Sequence, residues 1–180
     1  FLSVGHDEYW SLEQFNNVKN AVNKGVNAAF LSGNSVCFVT PYSASSKNIA
    51  NRTLTRAGRY GGVRPKEKPF MVGLDLDGPN ESTLIGAQTV TPFNGSGDWI
   101  VTKPEHWLFK GAGMKKGDKI SGLVGWEFHG EPAAIAGLEV VAEGPTYTGN
   151  DVESHYTSTI YPGPKGNLVF NASTIFWAQG

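Results

Sequence analysis

A strand, a capped helix and a second strand follow one another at the start of this chain, and that succession limits its fold more than any other feature. Phe1 to Val4 is apolar and reads as a strand. The helix is expected from about Ser11 to Lys24. Ser11 can cap it, with Gln14 three residues on to complete a capping box. Leu12, Phe15, Val18 and Val22 recur at helical spacing and give one apolar face, and Gly25 is the expected left-handed stop. Val26 to Leu31 alternates little, so it reads as a strand covered on both faces, as in a parallel sheet.

Beyond this βαβ unit the chain is rich in Gly, Pro, Asn and Ser. Short strands are expected at Ser35 to Thr40, Thr83 to Gln88, Trp99 to Val101, Ile120 to His129, Leu138 to Val141 and Asn167 to Phe170. Ser43 to Gly62 reads as a loop with at most one short helix. The expected architecture is α/β, a single domain over residues 1–180, with an antiparallel extension on a parallel core. No internal repeat marks the chain. It lacks an initiator Met and begins inside a strand, which suggests a portion of a longer chain.

At 180 residues the chain is long enough for one sizeable core. A net charge of −1 gives no footprint for nucleic acid or an anionic membrane surface. The single cysteine, Cys37, excludes an internal disulfide and a CxxC zinc site. No apolar run reaches the roughly 18 residues that span a bilayer. Four Asn-x-Ser/Thr sequons, at Asn51, Asn80, Asn94 and Asn171, hint at an extracellular location.

Three segments concentrate polar chemistry. The first is Gly5-His6-Asp7-Glu8-Tyr9-Trp10, at a strand-to-helix corner. Such corners face the ligand crevice of an open α/β sheet, and imidazole, carboxylate and phenol serve metal binding or acid–base work. The plainer reading is a polar loop in which Asp7 or Glu8 caps the helix. The second is the Ser32-Gly33-Asn34-Ser35 turn, where Gly33 suits a positive φ or a close backbone approach. The third is Gly125 to Pro132, where Glu127 sits inside an apolar strand. A carboxylate there needs a partner, unless the strand lies at an edge and turns it to solvent. His129 and Glu131 share a face of the same segment. His106 and His155 lie in loop-like contexts and are expected to be exposed, and Trp107, Trp126 and Trp177 are either core or stacking surfaces.

The ordered set GHDEYWS, GVNAAFLSGN, GAGMKKGDKISGLVGWE and NLVFNASTIFWAQG resembles the C-terminal domain of the large (beta) subunit family of N,N-dimethylformamidase. The resemblance runs nearly from end to end and implies a flavodoxin-like sheet similar to class I glutamine amidotransferases. It further implies hydrolysis of a small amide at a mononuclear iron held by two tyrosines and a glutamate. Tyr9 matches the first tyrosine, and Glu127, or alternatively Glu131, the glutamate. Cys37-Phe38 stands where relatives carry Tyr-Trp, so Cys37 or nearby Tyr42 would have to supply the remaining ligand. The metal set implied is Tyr9, Glu127 and Cys37, with His6 and Glu8 transferring protons. A homo-oligomer or a small partner subunit is implied as well. The rival reading is a catalytically silent, secreted, carbohydrate-binding module that kept the fold and lost the ligand at Cys37.

Overall fold

A computed structural model of the protein describes residues 1–61, 75–148 and 152–180. Its strands and helices run in the order β1 (Leu2–His6), β2 (Tyr9–Trp10), α1 (Leu12–Asn23), β3 (Ala28–Gly33), β4 (Phe38–Val39), β5 (Tyr42–Ser43), β6 (Thr53–Leu54), β7 (Gly58–Arg59), β8 (Leu76–Asp77), α2 (Ser82–Ile85), β9 (Ala87–Ile100), β10 (Lys119–Pro132), β11 (Glu139–Thr148), β12 (Val152–Pro162) and β13 (Leu168–Asn171).

The helix forms where its pattern predicts. Ser11 caps it, its hydroxyl accepting from the Gln14 N–H at 3.0 Å, and Gly25 follows with φ of 106°. Phe15, Val18 and Val22 are buried, each such side chain contributing about 1.5–3 kcal/mol of apolar burial. Leu12, placed on the same face by spacing alone, is exposed at the first turn. The chain then returns through β3, which pairs parallel with β1 and with β13.

The flavodoxin-like α/β layout is not what the chain builds. Seven strands form one mixed sheet in the order β1-β3-β13-β12-β11-β9-β10, parallel only across its first three members and antiparallel beyond them. Four of these strands run 10 to 14 residues. The fold is mainly β, with one βαβ crossover, β1-α1-β3, among the described residues of the large sheet. The sequence conceals the long strands because β9 and β10 carry Gly, Pro and bulges inside them. A glycine there marks an irregularity or a close approach rather than an end. The segment expected as a strand at Thr83 to Gln88 is instead the short helix α2 followed by the start of β9, and Ser43 to Gly61 contributes β5, β6 and β7 rather than a helix. Gly62 lies outside the described residues.

Hydrophobic residues gather on both sides of the sheet. One cluster joins α1 (Phe15, Val18, Val22) to Trp10, Phe30, Tyr60, Leu84 and Ile85, and the other joins Trp99, Val124, Phe128, Val141, Tyr156 and Ile160. A second, short sheet in the order β2-β4-β7-β8 leaves the end of β1 and aligns Tyr9, Phe38, Arg59 and Asp77 in one row. Strand β10, at the far edge of the large sheet, also packs against β3. That curl brings Glu127 over the corner that carries His6 and Glu8.

Candidate functional site

The corner after β1 divides its side chains by the alternation of extended backbone. His6 and Glu8 point one way. Asp7 points the other, accepting from Ser3 Oγ at 2.6 Å and from Trp10 Nε1 at 2.8 Å, so it secures the corner instead of joining the cluster. Tyr9 follows on β2, its hydroxyl donating to the Glu8 carboxylate. Three of the four polar residues of this segment therefore meet at one place.

Glu127 arrives from β10. The register of β10 against β9 shifts between Glu127 and His129, and the four successive residues from Glu127 to Gly130 are buried, so this stretch of the strand is covered on both faces. Glu127 points inward, opposite to its exposed neighbour Trp126, and is 3% exposed rather than facing solvent. His6 Nε2 lies 3.1 Å from Glu127 Oε2 and 3.4 Å from Glu8 Oε2. One donor atom from each of His6, Glu8 and Glu127 lies within 4.8 Å of the others. Among the described residues Glu127 Oε2 is buried without a hydrogen-bond partner, because the His6 contact is close but does not meet hydrogen-bond geometry.

The electrostatics follow from this packing. Burial and the neighbouring Glu8 charge push the Glu127 carboxyl up to about 7, against the opposing pull of His6 and a hydrogen bond from Asn34. The hydrogen bond to Glu8, with burial and that carboxylate's charge, pushes the Tyr9 phenol up to about 12. Two buried acids side by side are costly unless a proton or a cation lies between them.

The turn after β3 holds the two halves together. A Cβ on Gly33 would overlap the Glu127 carbonyl, so the close backbone approach, and not a positive φ, explains this glycine. Asn34 follows at φ 51° and is 1% exposed, its side chain bonded to Glu127. The Ser35 N–H donates to His129 Nε2 at 3.1 Å. Val36, a β-branched residue held at φ 58°, donates its N–H to Asp7 O, and the Cys37 N–H donates to Glu8 O. Strain at such a residue persists only where surrounding contacts enforce it.

The remaining sequence candidates lie elsewhere. The Cys37 sulfur is buried and does not enter the His6–Glu8–Glu127 donor group. Tyr42 is half-exposed on β5. Glu131 is exposed and lies 3.3 Å from His155, so of the two glutamates of β10 it is Glu127 that faces the corner. His129 is fully buried, its rings nitrogens engaged by the Ser35 N–H and Asn171 Oδ1. His106, expected at the surface, is buried, its Nδ1 accepting from the Leu108 N–H. Trp107 and Trp126 are exposed. Asn171 is fully buried, which removes one sequon from the surface. Sequence reading passed over Asn34 as a site residue. The available signal was its place after a strand-ending glycine, where asparagine tolerates positive φ.

A search among curated proteins found no match. The family model described as N,N-dimethylformamidase beta subunit-like, C-terminal, matches residues 1–180, and the chain belongs to that family.

Proposed function

We propose that this corner hydrolyses the C–N bond of a small amide with the help of a bound metal ion. The observation that carries the reading is the pair of buried carboxylates, Glu8 and Glu127, with Glu127 Oε2 left without a hydrogen-bond partner beside them. Family membership supports the reaction class.

The residues present fit an ion. Oxygen donors from two acids and a phenol suit a hard or borderline cation, and Glu127 Oε2, which has no hydrogen-bond partner, can supply a lone pair. Glu8, Glu127 and Tyr9 would hold it. This replaces Cys37 as a donor, and it differs from the two-tyrosine set that the resemblance implies, because Glu8 takes the place of one phenol. When bound, the ion polarises the amide carbonyl and lowers the pKa of a water. His6 is the proton carrier in this reading. Its side chain is 37% exposed while reaching both acids, so it can take a proton from water and return it to the departing nitrogen. Asn34 orients Glu127, and Asp7 anchors the backbone from which His6 and Glu8 project. A small partner subunit is proposed to complete the assembly, since the family is described by a subunit name.

The test is formate release from N,N-dimethylformamide by protein reconstituted with ferrous, manganous or zinc ion. The reading expects turnover with at least one ion, loss of roughly 100-fold or more in His6→Asn and Glu127→Gln, and retention of the ion by His6→Asn. Turnover that is unchanged in Glu127→Gln would refute it.

A further inference from the structure

A row of ring contacts runs from Trp126 across His6 and Tyr9 to Phe38. Trp126 stacks on His6 with ring centroids 5.8 Å apart and planes at 25°. His6 lies 5.9 Å from Tyr9, and Tyr9 stacks on Phe38 at 5.9 Å and 14°. The Arg56 guanidinium covers Phe38 at 4.7 Å. The acids that His6 reaches are buried, while 48% of Trp126 and 45% of Tyr9 remain exposed.

A dialkyl amide of one or two carbons offers little to this surface. An indole with half its area open, one residue from a buried carboxylate, gains most from a planar partner, because offset stacking adds about 0.5–1.5 kcal/mol beyond area burial. Resting on the amide-hydrolase reading above, we infer that the site takes N-aryl amides, with the arene lying on Trp126 and the carbonyl at His6, Glu8 and Glu127. In an N-aryl amide the ring is joined to the carbonyl through nitrogen alone. That short link keeps the carbonyl near the groups that adjoin the ring, and His6 is in direct ring contact with Trp126.

The chemistry agrees with the geometry. Water oxygen bonds to the carbonyl carbon, and the C–N bond breaks with its electron pair going to nitrogen. One water proton ends on the arylamine and the other leaves the acid product for solvent. An arylamine departs more readily than a dialkylamine because the ring delocalises that pair, so the half-exposed His6 has less protonation to supply. Trp126 is therefore a residue that determines specificity.

The experiment compares formanilide with N,N-dimethylformamide on the metal-reconstituted protein, in wild type, Trp126→Ala and Trp126→Phe. The expected result is a kcat/KM at least 10-fold higher for formanilide. Trp126→Ala should cut that ratio roughly five- to ten-fold, and Trp126→Phe should keep most of it. A ratio near one, or a ratio unmoved in Trp126→Ala, overturns the inference. Saturation-transfer NMR with formanilide needs no turnover and separates the two failures. If neither amide is cleaved, the hydrolase reading falls. Ring-proton transfer weakened in Trp126→Ala but kept in Trp126→Phe then still supports aryl recognition, while equal transfer in all three proteins overturns it.

Discussion

His6 Nε2 lies 3.1 Å from Glu127 Oε2, joining the corner after β1 to a bulge in β10. Neither residue would reach the other in a regular extended sheet. The contact depends on the curl of the large sheet that packs β10 against β3 and on the turn at Gly33 that lets the two backbones touch.

Gly33→Ala should therefore do more harm than a typical glycine substitution in a strand. The added methyl meets the Glu127 carbonyl, which cannot rotate away as a flexible side chain would. Equilibrium denaturation should show a loss of about 2 kcal/mol or more, at the upper end of overpacking costs. A loss under about 0.5 kcal/mol would mean that β10 is free to shift.

Asn34→Gly isolates the side chain, because glycine keeps the left-handed backbone that Asn34 adopts. Removing the donor to Glu127 should lower hydrolysis about 10- to 100-fold, the usual effect of losing an orienting partner. Steady-state kinetics beside a thermal melt checks this. A fall in activity that merely tracks lost folding would assign Asn34 to the fold alone.

In the metal-free protein stability should decline as pH rises from about 5 to 8. The Glu127 carboxyl is raised from 4.5 to about 7 in the folded state, so between those values the folded protein holds a proton that the unfolded chain has released. Stability is then full below the unfolded value and is lost as pH climbs through the folded one, by on the order of 2 kcal/mol. Urea titrations across that range should show the slope, and Glu127→Gln should flatten it. A flat wild-type profile would remove the buried acid from the account.

Tyr9→Phe should leave stability within about 1 kcal/mol, since the phenol is half-exposed and gives up one hydrogen bond to Glu8. Ion affinity should fall at least ten-fold. A urea titration of the variant reads the stability and a calorimetric ion titration the affinity, and unchanged affinity would exclude the phenol as a ligand.

The parts of the molecule that local sequence governs were legible in it. The cap at Ser11, the stop at Gly25 and the strand after it are local matters of dihedral preference and hydrogen bonding, and they formed as expected. The sheet was misread because its decisive facts are long-range. Pro92, Gly95 and Gly97 lie inside β9, and Gly122, Gly125 and Gly130 lie inside β10, where local rules predict breaks. Strand β12 escaped notice because Ser154-His155-Tyr156-Thr157-Ser158 is polar, although residues from Tyr156 to Ser158 are buried between β11 and β13. At the site, alternation alone allowed His6 with Glu8 or Asp7 with Tyr9 to share a face. Which pair meets Glu127 depends on β10 folding back against β3, a long-range contact that no local pattern announces.

The most direct measurement is a metal titration of the purified protein by calorimetry, with ferrous, manganous and zinc ions tried separately, in wild type and in the Glu8→Gln/Glu127→Gln double variant. One ion per chain in wild type, with affinity reduced at least 100-fold in the double variant, is the predicted result. Equal binding by the two proteins, or no ion taken up by wild type, would contradict it.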